Sequence, residues 1–440
     1  MKSTKPKVLH EVGGIPLIWH PLRLCQELKI KEAYVVISPF LKKLTLPKNI
    51  SVKTTLVEQK KPLGTAHAVM MALKKIKKTQ GDILILNGDT PLIKKESIGQ
   101  LFLERKRLAS PFGFLSSLFH NPAGLGRVMR HTGGLVSQIV EAKDATPFQL
   151  QTHEINAGVY SANLSFLKNN IKGVKTKNKQ KEYYLTDLVQ AATHKNLDVV
   201  AIPIHETEAI GINTQQELAK ANQLFFSREI TKKMEEGVSF IHPESVVIEN
   251  NVTIAPGTKI YGPCFLGQGN HIGKNCIIEQ GCQIHNSQIE EGVHIKAFSY
   301  VTNASIGSQT IIGPFAHLRP QTKLGAHVKV GNFVEIKKSI VDRNSKINHL
   351  SYIGDAFIGK RVNIGAGTIT CNYDGIKKYQ TILKDDVFVG SSTQFVAPVT
   401  IGAGAFIGAG STITKNVESQ SLALSRTQQK QIKHWVKKKR

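Results

Sequence analysis

The chain has 440 residues, more than one ordinary domain of roughly 100–200 residues holds, so two or three domains are expected. Hydrophobic residues make up 41% and charged ones 20%, which excludes a disordered or low-complexity chain. The 58 Lys and Arg against 32 Asp and Glu leave a net charge of +26, suited to nucleic acid, a membrane surface or small acidic substrates alike, while only 7% aromatic residues argue against base-stacking platforms.

Met1–Lys7 is polar and basic, with no signal-peptide core behind it, and no apolar run nears the ~20 residues that span a bilayer. The five cysteines form no C-x-x-C pair, so neither a disulfide framework nor a zinc site is expected. A soluble cytoplasmic protein without a membrane partner is the expectation. Ala33–Ser38 and Asp82–Asn87 read as short buried strands, His67–Leu73 and Lys95–Arg107 as helices. Their alternation predicts a mostly parallel sheet covered on both faces. Thr214 is a plausible N-cap for a helix closing at Gly237.

Beyond that helix aliphatic residues recur every six positions: Ile254, Ile260, Leu266, Ile272, Ile278 and Ile284, then Ile289 and Ile295, then Ile306 to Ile336, and later Ile358, Ile364, Phe395, Ile401, Ile407 and Ile413. A small residue follows four places on, as at Thr258, Ala316, Thr322, Thr368, Ala405 and Ser411. Period six fits a parallel β-helix whose coils bury their aliphatic residues only by stacking. Cys264, Cys276 and Cys282 occupy the small-residue slot and read as core fillers. The register lapses between Ile340 and Ile353, and a polar loop interrupts the coils from Thr370 to Asp386. The basic tail Lys430–Arg440 reads as a solvated end.

Asn87-Gly88-Asp89 follows a strand, where open α/β sheets bind ligands and a carboxylate can hold Mg²⁺ against phosphates; a turn or cap aspartate is an equal alternative. Leu63-Gly64-Thr65-Ala66 opens a helix and could face a base or phosphate; Lys7 and Lys143 are candidate phosphate partners. In the second half His349, one of 16 histidines and by itself read as a satisfied or surface side chain, has Arg319, Lys337 and Lys338 on nearby coils, with Asn372 and Tyr373 in the loop. Cations, a neutral-pH base and amide donors are what acyl transfer to an amine uses.

In order along the chain stand Pro6-Lys7-Val8-Leu9, Gln59, Asn87-Gly88-Asp89-Thr90-Pro91-Leu92, Gly124-Leu125-Gly126-Arg127, Glu141-Ala142-Lys143-Asp144, Glu154-Ile155-Asn156-Ala157-Gly158 and Gly211-Ile212-Asn213. They continue with Leu318-Arg319-Pro320, Gly331-Asn332-Phe333-Val334-Glu335-Ile336-Lys337-Lys338, Asn348-His349-Leu350-Ser351-Tyr352, Asn363-Ile364-Gly365-Ala366-Gly367-Thr368, Thr370–Gly375 and Ser425-Arg426. This series resembles the bacterial family of bifunctional N-acetylglucosamine-1-phosphate uridylyltransferases/glucosamine-1-phosphate N-acetyltransferases. The resemblance implies a Rossmann-like α/β nucleotidyltransferase domain over residues 1–213, a linker helix over 214–237, a left-handed parallel β-helix of hexapeptide repeats over 238–426 and a basic tail over 427–440.

By the same resemblance Asp89 and Asn213 hold Mg²⁺, and Lys7, Gln59, Gly64, Thr65, Gly88, Gly126, Glu141, Asn156 and Asn213 contact the nucleotide-sugar formed from UTP and N-acetylglucosamine 1-phosphate. His349 is the general base, Arg319, Lys337, Tyr352 and Asn363 bind glucosamine 1-phosphate, and Ala366, Asn372, Tyr373, Ser391, Ala409 and Arg426 face acetyl-CoA. A homotrimer is implied. The family opens with a strand and a loop, Leu-Ala-Ala-Gly-x-Gly-Thr-Arg-Met, and Met1 aligns with its last residue; little uridylyl transfer is expected from the sequence as written. Competing readings are an acetyltransferase with a structural front domain, a regulatory assembly subunit, and, from charge alone, a nucleic-acid binder. The last lacks any base-reading motif.

Overall fold

The computed structural model describes residues 1–440 except 42, 43, 46, 48, 49 and 437–440. The chain divides into two compact units, Met1–Phe225 and Phe226–Arg440, the division falling inside the helix Gln215–Glu235. That helix starts where Thr214 and Glu217 cap each other: the Glu217 amide donates to Thr214 Oγ1 (3.1 Å) and the Thr214 amide to the Glu217 carboxylate (2.7 Å). It stops before Gly237, whose φ of +91° continues no helix.

The first unit opens with a two-stranded hairpin, β1 (Glu11–Val12) and β2 (Ile15–Pro16), and the helix α1 (Trp19–Glu27). The strands β3 (Glu32–Ile37) and β4 (Lys53–Glu58) pair in parallel with each other. After the helix α2 (Thr65–Leu73) come β5 (Asp82–Ile85) and the helix α3 (Lys95–Arg107). A second sheet takes β5, β6 (Phe112–Leu118), β7 (Arg127–Arg130), β8 (Val136–Val140), β9 (Glu154–Asn163) and β10 (Val199–Ile204), in the order β10-β6-β9-β7-β8 with β5 on β9.

This sheet is mixed, which corrects the expectation of a mostly parallel one. Only β6 and β10 pair in parallel; β9 is antiparallel to β5, β6 and β7, and β7 to β8. The reason is local. Gly133-Gly134 turns β7 straight back into β8, and a short return can join only antiparallel strands.

The predicted strands β3 and β5 are present, but their apolar residues are half-buried, not buried. Among the described residues each has one strand partner, β4 and β9 respectively. A cavity of about 630 Å³ is lined by Ala33–Val36 of β3, Ile83–Ile85 of β5, Leu22 and Cys25 of α1 and Val69 and Ala72 of α2.

The second unit is the left-handed β-helix: parallel strands in three sheets of 11, 10 and 9 strands, each strand hydrogen-bonded to those one coil away. In one sheet Ile260, Ile278, Ile295, Ile312, Val330, Ile347, Ile364, Val389 and Ile407 stack in register through the interior. All of them are buried, and each contributes ~1.5–3 kcal/mol by leaving water. Cys264, Cys276 and Cys282 are buried and unbridged, and no metal-binding cluster occurs among the described residues.

The hexapeptide register does not lapse after Ile336. It slips by one, so Val341 fills the core while Ile340 is 45% exposed, and Ile347 and Ile353 continue inward. The slip is absorbed in the turn before Ile340, where Lys338 takes a positive φ. The loop from Asn372 to Gln380 leaves the coils and returns through a bridge between Tyr373 and Lys378. Residues 427–436 are exposed; the end of the predicted basic tail, 437–440, lies outside the described residues.

Candidate functional sites

In the first unit the candidate residues form one run of contacts along the ends of β4, β5 and β9. Lys7 Nζ donates to Asp89 Oδ2 (2.5 Å) and to Asn213 Oδ1 (2.9 Å). Asp89 and Asn213 stay together because the Ile212 amide donates to the Asp89 carbonyl (3.0 Å). A carboxylate and an amide oxygen converging on one ammonium are hard donors that fit a divalent cation beside phosphates.

Asn87, two residues before Asp89, packs against Gly158: a Cβ there would lie 2.2 Å from Asn87 Nδ2, and φ is +73°. The Gly158 amide donates to Asn156 Oδ1 (3.1 Å), whose amide nitrogen donates to the Tyr160 hydroxyl (2.5 Å). The Asn156 main-chain amide donates to the Gly126 carbonyl (3.0 Å), and a Cβ on Gly126 would lie 3.3 Å from Glu141 Oε2. Burial pushes the Glu141 carboxyl up, against the pull of the Thr186 hydroxyl that donates to it (3.1 Å).

Leu185, next to Thr186, donates its amide to Thr65 Oγ1 (3.0 Å). Gly64 meets a steric demand: φ is +106° and a Cβ would lie 2.6 Å from the Tyr183 carbonyl. Gln59 donates from Nε2 to His67 Nδ1 (2.8 Å) and the Gly64 carbonyl (3.4 Å). Gly88 meets no such demand, since a Cβ there would make ordinary contact with Val8. Lys143 stands apart, donating to Gln180 (2.7 Å).

In the second unit His349 is exposed at the end of the strand Lys346–His349, with Nδ1 2.9 Å from Asn332 Oδ1 on the preceding coil. An amide oxygen accepts only, so in a neutral ring this contact favours the proton on Nδ1 and leaves the lone pair on Nε2. That is the tautomer a base needs. Asn332 lies within a quoted motif, but only the one-coil register brings it beside His349.

Register also orders the residues beyond His349. Two positions after each interior partner, Ala366, Ser391 and Ala409 follow His349 in one column. At ~4.8 Å per coil the column runs ~14 Å. Gly365, Gly390 and Gly408 precede these residues, and a Cβ on any of them would strike the next coil at 2.6, 2.4 and 2.0 Å. Arg426 donates to the Ala409 carbonyl (2.9 Å) at the far end.

Beside the column is a cationic group. Arg319 Nη1 donates to Glu335 Oε1 (2.6 Å), Glu335 pairs in register with Tyr352, and Lys337 with Gly354, over which the Tyr352 hydroxyl lies. Lys378, absent from the sequence-derived set, is the missed member. It sits against Lys337, and the two ammonium groups, with Arg319, hold Lys337 below the usual lysine range. No motif marks Lys378; the return of the loop beside Tyr373 places it.

Asn372 is buried and its Nδ2 donates to Asp355 Oδ2 (2.5 Å), so its side chain holds the loop onto the coils. Asp355 also meets Lys338 at 3.4 Å. Tyr373 is exposed, its hydroxyl donating to the Gly375 carbonyl (2.5 Å). Asn363 lies on the coil after Lys346, half-buried.

Comparison with known proteins agrees with this two-part build. The nucleotidyl transferase family model matches residues 1–208, that of the GMPPB C-terminal domain 248–330, and that of the bacterial transferase hexapeptide (six repeats) 380–415. A protein of Thermodesulfovibrio yellowstonii named Bifunctional protein GlmU is 44% identical over 444 residues, spanning 100% of this chain and 97% of its own. Proteins of the same name from Alkaliphilus metalliredigens and Geotalea uraniireducens are each 40% identical, over 100% of this chain and 96% of theirs.

Proposed function

Because the chain belongs to the GlmU family of bifunctional proteins, we propose that it makes UDP-N-acetylglucosamine in two steps, with Arg319, Lys337, Lys378 and His349 carrying the first. Acetyl transfer from acetyl-CoA to glucosamine 1-phosphate comes first, uridylyl transfer from UTP to N-acetylglucosamine 1-phosphate second. The observation that carries the reading is the Arg319-Lys337-Lys378 group beside a histidine held as a base. Glu335 balances only one of the three cations, and a sugar phosphate supplies the further negative charge that the Lys337-Lys378 pair favours.

In the acetyl step the phosphate rests on Arg319, Lys337 and Lys378, with the Tyr352 hydroxyl and Asn363 orienting the sugar. His349 Nε2 takes a proton from the amine, whose lone pair attacks the thioester carbonyl carbon. The C–S bond breaks, and the thiolate leaves with a proton returned to it. The Ala366-Ser391-Ala409 column, cleared of side-chain bulk, takes the elongated acetyl-CoA, with Arg426 at its end and Asn372 and Tyr373 at its side.

In the uridylyl step Asp89 and Asn213 hold Mg²⁺, which neutralises phosphate charge when bound. Lys7 adds a further positive charge, and Gln59, Gly64, Thr65, Gly88, Gly126, Glu141 and Asn156 hold the base and sugars. Catalysis there rests on positioning and electrostatics.

The chain works as a cytoplasmic homotrimer. Phe298, Phe315 and Phe333 stack at centroid distances of 5.3 and 5.4 Å on one corner of the coils, and Leu350 follows on the next coil. All four are 48–61% exposed. Such a ladder favours cover by another copy of the chain, and it adjoins Asn332 and His349. The test supplies the purified chain with glucosamine 1-phosphate, acetyl-CoA, UTP and Mg²⁺ and measures UDP-N-acetylglucosamine by mass spectrometry. Formation that needs acetyl-CoA is expected; uridylylation of unacetylated sugar as the main product contradicts the order proposed.

A further inference from the structure

A second cationic surface on the β-helix has lysines with no part in the function proposed above. Lys329 and Lys346 are register partners on consecutive coils, so their side chains leave the same sheet face ~4.8 Å apart. Like charges directly opposite each other on a sheet destabilise it. Among the described residues neither ammonium has a carboxylate within 4 Å.

The corner beside them adds His327 and Arg361, with Asn344 between them; all three take positive φ. Arg361 is fixed by Asp386, with Nε to Oδ1 at 2.6 Å and Nη2 to Oδ2 at 2.7 Å. Asp386 is therefore occupied by Arg361, and among the described residues no carboxylate pairs with either lysine. A groove of about 500 Å³ is lined by His327, Lys329, Asn344, Lys346, Arg361 and Asn363.

We propose that this groove binds a diphosphate group, Lys329 and Lys346 each contacting one phosphate and the Asn344 and Asn363 amides donating to them. Two compact point charges stacked at strand spacing suit two linked phosphates better than one. A single carboxylate leaves one ammonium uncompensated, and a monophosphate can balance the charge but offers only one phosphate group to two lysines. The groove shares only Asn363 with the sugar-phosphate residues, so the proposal stands whether or not the proposed function does. Free diphosphate and the diphosphate of a nucleotide such as coenzyme A present the same chemistry.

The test is site-resolved lysine acylation of the full chain with an N-hydroxysuccinimide ester, read by peptide mass spectrometry at matched ionic strength. Inorganic diphosphate is expected to slow modification of Lys329 and Lys346 about five-fold or more, with exposed Lys323 on another sheet unchanged and monophosphate giving under about two-fold. In Lys329→Ala, protection of Lys346 is expected to fall away. Equal or stronger protection by coenzyme A names the nucleotide as the source; stronger protection by inorganic diphosphate names the free anion. Protection by coenzyme A but not by inorganic diphosphate overturns the proposal, as does no protection at all. Lysines unreactive before any anion is added also overturn it, since another copy of the chain then covers the groove.

Discussion

Imidazole acts as a base only through a nitrogen without a proton, and in the proposed mechanism the Asn332 contact with Nδ1 leaves Nε2 of a neutral His349 for that role. Asn332→Ala is expected to lower kcat for acetyl transfer with little change in KM. Asn332→Asp, by placing a carboxylate on Nδ1, raises the imidazole pKa and moves the acid limb of the pH–rate profile to higher pH. An unchanged profile in the Asp variant contradicts the contact. Lys378→Ala is expected to raise KM for glucosamine 1-phosphate about ten-fold, and steady-state kinetics checks it. In the first unit, burial lowers His20 to about 4, its Nε2 bonded to the Val12 carbonyl (3.0 Å). The unfolded chain binds a proton there at higher pH, so stability is full above about 6.5 and is lost as pH falls toward about 4, by up to ~3 kcal/mol. Denaturant unfolding of wild type and His20→Gln at pH 7 and pH 5 checks this; the wild type alone is expected to show that extra loss. The proposed base His349, the proposed anion-binding Arg319 and Lys337 and the proposed metal pair Asp89 and Asn213 all stand in motifs that the sequence displays. Lys378 and the role of Asn332 were not legible there, because a loop return and a one-coil register place them, and neither leaves a local pattern.

Period six specifies the β-helix because one aliphatic side chain in six, with a small one four places on, must face inward, and a slip of one residue keeps that rule if a turn absorbs it. The series after Ile336 is such a slip, and it separates two similar-looking isoleucines. Ile347→Ala empties a core position and is expected to destabilise the second unit by ~2–5 kcal/mol, whereas Ile340→Ala, at an exposed position, is expected to cost under ~1 kcal/mol. Thermal melts of the two variants distinguish the register. The front unit was less legible. Short β-branched runs mark β3 and β5 as strands, but a run does not reveal its neighbours, and their apolar faces line a cavity. Strand β9, Glu154-Ile155-Asn156-Ala157-Gly158, mixes small and polar residues and carries no periodic signal, yet it joins β5, β6 and β7.

At the scale of the molecule, the proposed assembly and the proposed acetyl transfer meet at the exposed corner ladder, where Asn332 precedes Phe333 and His349 precedes Leu350. Replacing Phe315 and Phe333 together by Asp puts charge on that corner and is expected to shift the chain from trimer toward monomer in sedimentation velocity, with acetyl transfer falling in parallel. The positive charge of the whole chain finds a use in acidic substrates at both sites. The most direct test follows CoA release from acetyl-CoA and glucosamine 1-phosphate, and in parallel pyrophosphate release from UTP and N-acetylglucosamine 1-phosphate, in the wild-type chain and in His349→Ala. CoA release is expected in the wild type and is expected to fall about a hundred-fold or more in the variant, with pyrophosphate release the same in both chains. CoA release untouched by the substitution, or absent from a folded wild-type oligomer, contradicts the account.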